Sequence, residues 1–431
     1  MQPNKGLLKT SMSRAIAESV IVHKLIAVLS PKLKADGLYA SFKQVEIPSI
    51  LVLSNMELNG FGFSQEECEK QKKVLLARLE ELEEKAYKEA KRQFAMTSSD
   101  EICQILYKEL RLPLNGPKPS SSKEMLQKID HPLASIILEW RKLNASVTKV
   151  VFPMSMAAER HVILQMDRIY PECQTLTATG RVSLHEPNIQ MVPKDFDVIA
   201  TPQLLSKAGL DQSWNKSTSL FMSEYASFVS APDETKTLSV SLRRAFVAGS
   251  HCLILAADYA QLELRILAHL SKDERLLAIL KPHQPDVFKA MAAKWKKMDL
   301  NSVTASDRAQ VKQICYGLVY GISAKALGEQ LEVCPEEASV FISTFMDTYP
   351  GVKNFIETVI QDCKAKGFIS TITGRRRYLP NITNYGNPHA QAASERQAVN
   401  STVQGSAADQ VKPFLPTQCR RSLNDPSNFI F

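Results

Sequence analysis

From Ser64 to about Gln93 the apolar residues Leu75, Leu79, Leu82 and Ala86 recur at helical spacing among mixed charges. This pattern predicts an amphipathic helix of roughly 40 Å, with Ser64 as its N-cap and the charges on a solvated face. Ile21, Leu25, Ile26 and Leu29 predict a helical segment within residues 1–45, and Thr97-Ser98-Ser99-Asp100 offers several caps for a later helix. Between Leu112 and Glu124 the chain is rich in Pro, Ser, Gly and Lys, which predicts a loop. Lys118 and Lys123 within it are either solvated or set against phosphates. Residues 197–239 mix Ser, Thr, Pro and Lys, so a long loop with one short helix is expected there. Its Trp214, Phe221, Tyr225 and Phe228 form either a hydrophobic cluster, the favoured reading, or a base-stacking surface.

The continuous apolar run Cys252 to Ala257 reads as a buried strand, which places Asp258 where that strand ends and a helix begins. Asp286, Phe288 and Trp295 fall on helical stretches, and a further helix is expected to open near Ser306, with Ser306 as cap and Asp307 at the positive end. Along that helix Arg308, Lys312, Tyr316 and Tyr320 recur every four residues and therefore share one face. Two cations followed by two rings suit the tail and base of a nucleoside triphosphate. A carboxylate such as Asp258 suits the Mg²⁺ that accompanies it. Taken singly, an Asp at a strand end is usually a cap, and a Lys and Tyr row is usually core with a solvated flank. The two runs together point to phosphoryl transfer.

The charge balance changes little: 53 Lys and Arg against 45 Asp and Glu give +8 over 431 residues, which favours polyanionic partners without demanding them. Hydrophobic content of 44% suits two or three packed subdomains. No apolar run reaches membrane length and no secretory signal is evident, so a cytosolic or nuclear location is expected. The eight cysteines lack metal or redox spacing and read as reduced, packed thiols, with Ile254 near Cys252 and Ile314 beside Cys315.

Asp258-Tyr-Ala-Gln-Leu-Glu-Leu-Arg265 and the Arg308 to Gly321 helix resemble motifs A and B of the A family of DNA polymerases. Further matches follow in order: Thr177 to Arg181, Pro187 to Gln190, Gly374 to Tyr378, Asn400, and Val403 to Asp409. Gln313-Ile314-Cys315-Tyr316 and the extra segment before Asp258 are most similar to the theta branch of that family. The resemblance covers roughly residues 45–412 and implies an α+β, right-hand architecture of thumb, palm and fingers. It divides the chain into a helical segment at 1–45, thumb at 46–160, a first part of palm at 161–275 and fingers at 276–365. A return toward palm follows at 366–412, then an unrelated tail at 413–431.

Templated DNA synthesis on a primer-template with dNTPs and two Mg²⁺ ions is the implied reaction. Asp258 and the Tyr259 carbonyl are the implied metal ligands, and Glu263 the gate against the ribose 2′-hydroxyl. Gln261 belongs to the same nucleotide site. Arg308 and Lys312 are assigned to the phosphates, with Lys312 also protonating pyrophosphate. Tyr316 lies at sugar and base and predicts tolerance of 3′-deoxy terminators, while Tyr320 and Gly321 shape the templating pocket. Phe288 stands where many members carry a phosphate-binding His. Arg181 and Gln404 are assigned to the primer terminus, and Asn188, Gln190, Asn400 and Arg375 to Arg377 complete the DNA contacts. The arginine run reads either as a solvated basic loop or as a duplex-phosphate contact, and the flanking motifs favour the latter.

The family's His-Asp-Glu strand does not appear, and Pro413 and Pro416 interrupt the last helix. An incomplete antiparallel palm sheet and impaired catalysis are therefore expected. The alternative is a non-catalytic DNA-binding isoform or fragment. Theta resemblance further implies a nuclear setting in end joining and translesion synthesis. No Asp-x-Glu pair for an exonuclease occurs in residues 1–45, and no Gly-x-x-x-x-Gly-Lys helicase loop occurs in the chain.

Overall fold

The computed structural model describes residues 5–114, 118–209, 237–250, 252–281, 286–331, 333–384 and 386–413. The expectations for Trp214, Phe221, Tyr225 and Phe228, and for the tail beyond 413, lie outside these residues. Helices dominate, with short antiparallel strands between them. Strands β1 (Phe61–Phe63), β2 (Glu159–His161) and β3 (Met166–Ile169) form one sheet in the order β1-β3-β2. Among the described residues there are also three two-stranded ladders: β4 (Glu172–Gln174) with β5 (Ser183–His185), β6 (Phe196–Ile199) with β7 (Thr237–Val240), and β8 (Phe368–Ser370) with β9 (Arg376–Tyr378).

The amphipathic helix forms over Gln65–Ala90, and the Ser64 side chain accepts a hydrogen bond from Glu67 N. Its buried Leu75, Leu79, Leu82 and Ala86 pack with the Pro132–Ser146 helix in a core that reaches to Ala245. Ser98 caps the later helix, and the short helix Pro202–Lys207 falls within the expected long connection. The N-terminal segment is a helix over Lys5–Ala35, with Ile21, Leu25, Ile26 and Leu29 exposed.

A second core joins the helices Leu262–Ser271, Val287–Lys296, Ala305–Tyr320 and Pro335–Thr348 to Val403 and Ala407 of the Pro388–Val411 helix. This long final helix contacts the Leu262–Ser271 and Ala305–Tyr320 helices and so brings both motif segments to one place.

Two local expectations are corrected. Cys252 to Ala257 is not a buried strand: Leu253, Ile254 and Leu255 are 86%, 54% and 51% exposed, and no described residue pairs with them. Apolar β-formers become a strand only against a neighbouring strand. Here the run instead borders an open apolar groove of about 810 Å³ shared with β1 and Val247. Cys252 is correspondingly part-exposed rather than core, whereas Cys315 is fully buried. The motif-B helix begins at Ala305, and its cap is Thr304 rather than Ser306. Thr304 Oγ1 accepts from Asp307 N while Asp307 accepts from Thr304 N, so both backbone donors are satisfied reciprocally.

Candidate nucleotide and primer site

Gln261, at φ 49°, turns the chain from the irregular Asp258 segment into the Leu262–Ser271 helix. That turn sets Asp258, Tyr259, Gln261 and Glu263 on one wall of a cavity of about 610 Å³. Arg181 and Gln190 approach from the β5 side, and Tyr316 closes the cavity from the motif-B helix. Asp258 is exposed and Glu263 is buried. Arg181 Nη2 donates to Glu263 Oε1, so two residues assigned to primer and sugar meet directly.

A second cavity of about 870 Å³ is lined by Arg308, Lys312, Gln313, Tyr316, Gly321 and Arg396. The predicted i, i+4 row therefore holds for Arg308, Lys312 and Tyr316 on the Ala305–Tyr320 helix. The backbone of Tyr320 is helical, and its side chain lies outside what the structure describes. Tyr316 belongs to both cavities. Burial raises its phenol above the ordinary value, helped by the nearby Cys315 and by the negative charge of Asp258. Its ring packs 6.0 Å from that of the buried Phe288, over which the Arg308 guanidinium lies at 5.8 Å.

The arginine run is not a solvated loop. Arg375 donates to the buried Asp409 (2.9 Å) and to the carbonyls of Thr179 (2.8 Å) and Gly405 (3.1 Å). Gly180 makes this approach possible, since a Cβ there would fall 2.5 Å from the guanidinium carbon. Arg376 and Arg377 lie in β9. Arg376 bonds the Asp36 carbonyl (2.7 Å) and covers the Phe368 ring, while Arg377 reaches Ser401 and Gln397. Burial pulls the Arg377 guanidinium below its ordinary value.

Asn188 accepts from Gln190 N, and Gln190 in turn bridges Leu184 N and the Val182 carbonyl (both 3.1 Å). Gln190 reaches the carboxylate cavity, but Asn188 lines a separate depression beside β4 and β5. Gln404 is buried, and the buried Asn400 Oδ1 has no hydrogen-bond partner among the described residues. Sequence reasoning missed Arg396, and it named Asp286 and Asp409 without finding their arginine partners. Arg396 follows the family-like segment one helical turn before Asn400, a spacing that a search for one-sided helix faces detects.

Among the described residues no group of three His, Cys, Asp or Glu is placed to hold a metal ion. The donors present are the exposed Asp258 carboxylate and the Tyr259 backbone beside it, which fit a metal ion that takes its remaining ligands from outside the protein.

The carboxylate cavity and the cationic helix thus meet at one shared side chain, Tyr316. A sequence profile for DNA polymerase family A matches residues 65–420. The chain is 41% identical over 444 residues to DNA polymerase theta of Mus musculus, covering 93% of this chain and 17% of that protein. Against DNA polymerase theta of Drosophila melanogaster it is 36% identical over 371 residues, covering 86% of this chain and 16% of that protein. DNA polymerase I of Bacillus subtilis (strain 168) is 28% identical over 422 residues, with 96% of this chain and 42% of that protein covered. The POL domain of Pol1 from M. smegmatis, solved in complex with DNA primer-template and dNTP, superposes with a TM-score of 0.76 at 26% identity. That match covers 94% of this chain and 65% of the other. The chain belongs to DNA polymerase family A and is theta-like within it, with the right-hand fold of thumb, palm and fingers. It spans only about a sixth of the theta polymerases' length. A-family DNA polymerases are DNA-directed nucleotidyltransferases and generally depend on a metal.

Proposed function

We propose that this chain takes part in template-directed DNA synthesis, adding dNTPs to a primer 3′ end. The observation that carries the reading is Tyr316, the common wall of the cavity holding Asp258 and the cavity holding Arg308 and Lys312. A triphosphate laid along the motif-B helix would have its phosphates at the cations and its sugar at Tyr316, within reach of Glu263. Asp258 and the Tyr259 carbonyl would hold Mg²⁺, which supplies neutralisation of phosphate charge. Lys312 is proposed to donate a proton to departing pyrophosphate, and Glu263 to exclude a ribose 2′-hydroxyl. Tyr320 and Gly321 would shape the templating side.

Arg181, Gln190, Asn400 and Gln404 are proposed to face the primer end, with Asn188, Arg376 and Arg377 toward the duplex. Arg375 would serve that surface by holding the Gly374 to Tyr378 segment in place. The proposed division is thumb at 46–160, palm at 161–275 and 366–412, and fingers at 276–365. Likeness to theta polymerases supports a nuclear role in double-strand break repair and translesion synthesis. Among the described residues no helix is long and apolar enough to cross a membrane.

The test incubates the chain with labelled primer-template, Mg²⁺ and dNTPs beside an Asp258→Ala control. Slow template-dependent extension that the control abolishes is expected, because the impairment expected from the missing His-Asp-Glu strand still applies. A primer bound but never extended would overturn synthesis as the activity.

A further inference from the structure

Arg308 is held from behind. Its Nε donates to Asp286 Oδ2 at 2.5 Å, and its guanidinium lies 5.8 Å from the centroid of the buried Phe288 ring. Asp286 is itself fixed: its Oδ1 accepts from Lys289 N at 3.1 Å and caps the Val287–Lys296 helix. Arg308 lines the cationic cavity, whereas Asp286 does not. The carboxylate thus stands behind the guanidinium rather than between it and the cavity. Among the described residues, the Nη1 and Nη2 groups of Arg308 make no hydrogen bond. A guanidinium clamped at Nε and floored by a ring keeps its Nη edge for two parallel bonds to an oxyanion.

We propose that Asp286 is a positioning residue that orients Arg308 for the β- and γ-phosphates of the bound nucleotide. The inference rests on the nucleotide reading of the same helix. The entropic advantage is that of preorganisation: a long side chain already fixed loses less freedom when it meets phosphate. The opposite possibility, a carboxylate competing with phosphate for Arg308, would require Asp286 on the cavity wall.

The two oxygens of Asp286 allow the roles to be separated. Asp286→Asn retains one oxygen for Lys289 N and turns an amide NH₂ toward Arg308, so it keeps the cap and breaks the tether. Binding of inorganic tripolyphosphate and of dATP to the full chain would be measured by calorimetry for wild type, D286N, R308A and D286N/R308A, together with thermal midpoints. The expected result is an unchanged midpoint for D286N and roughly tenfold weaker binding of both probes, as for loss of a charged hydrogen bond. The substitution should have no further effect in the R308A background. Unchanged or tighter binding by D286N, or an equal loss when Arg308 is absent, overturns the positioning role and leaves the nucleotide site standing. If wild type binds neither probe, the nucleotide reading falls and this inference falls with it.

Discussion

Arg181 and Glu263, 82 positions apart in sequence, meet as an ion pair on the wall of the carboxylate cavity. One comes from the segment preceding β5 and the other from the first turn of the Leu262–Ser271 helix. The ion pair ties the two segments together, so their effects on stability should not be independent. A double-mutant cycle with Arg181→Ala and Glu263→Ala, read by chemical denaturation, should give a coupling of about 0.5–1 kcal/mol, since Arg181 remains half exposed. Strict additivity would show that the pair does not persist in solution.

Arg375 and Arg376 are neighbours with different predicted phenotypes. Arg375→Ala removes the cation from the buried Asp409 carboxylate, which keeps the Thr373 hydroxyl, and should destabilise the fold by about 3 kcal/mol, with little change in the salt dependence of primer-template binding. Arg376→Ala should leave the denaturation midpoint near wild type and reduce the salt slope by about one. Interchange of these outcomes would place the phosphate contact on Arg375 instead.

Asp307 supplies a pH dependence with a definite sign. Its carboxyl is lowered to about 2, first by the Lys296 hydrogen bond and then by Thr304. A folded-state value below the unfolded one gives stability that is complete above about pH 4 and lost as the pH falls toward 2. After allowance for solvent screening the contribution is about 1 kcal/mol. Thermal midpoints recorded from pH 5 to pH 2 should fall less steeply for Asp307→Asn than for wild type.

Gly321 follows the motif-B helix at φ 66°, and a Cβ there would lie 2.7 Å from Arg396 Cγ and 3.1 Å from its Cα. Gly321→Ala combines a left-handed backbone with a crowded contact and should destabilise by about 1–3 kcal/mol in urea denaturation. Gly367→Ala has a similar φ of 76° but open space around it, so it should cost about 1 kcal/mol. Equal losses at the two positions would mean that the Arg396 contact contributes nothing.

What the sequence made legible was local and periodic. Ser64 was readable as a cap because its acceptor serves a donor three residues on, and Arg308, Lys312 and Tyr316 because one helix face repeats every four. The Cys252 to Ala257 run misled for the complementary reason: a strand depends on partners elsewhere in the chain, and none of the described residues supplies them. The fate of Arg375 was hidden likewise, because its partner Asp409 lies 34 residues away and only folding brings them together. At Thr304 the error was one of register, two caps being available within three residues and the reciprocal bond with Asp307 deciding between them.

Tyr316 lines both cavities, and its ring packs 6.0 Å from that of the buried Phe288. One substitution at that position therefore alters two compartments together, and their separate contributions cannot be read from changing Tyr316 alone.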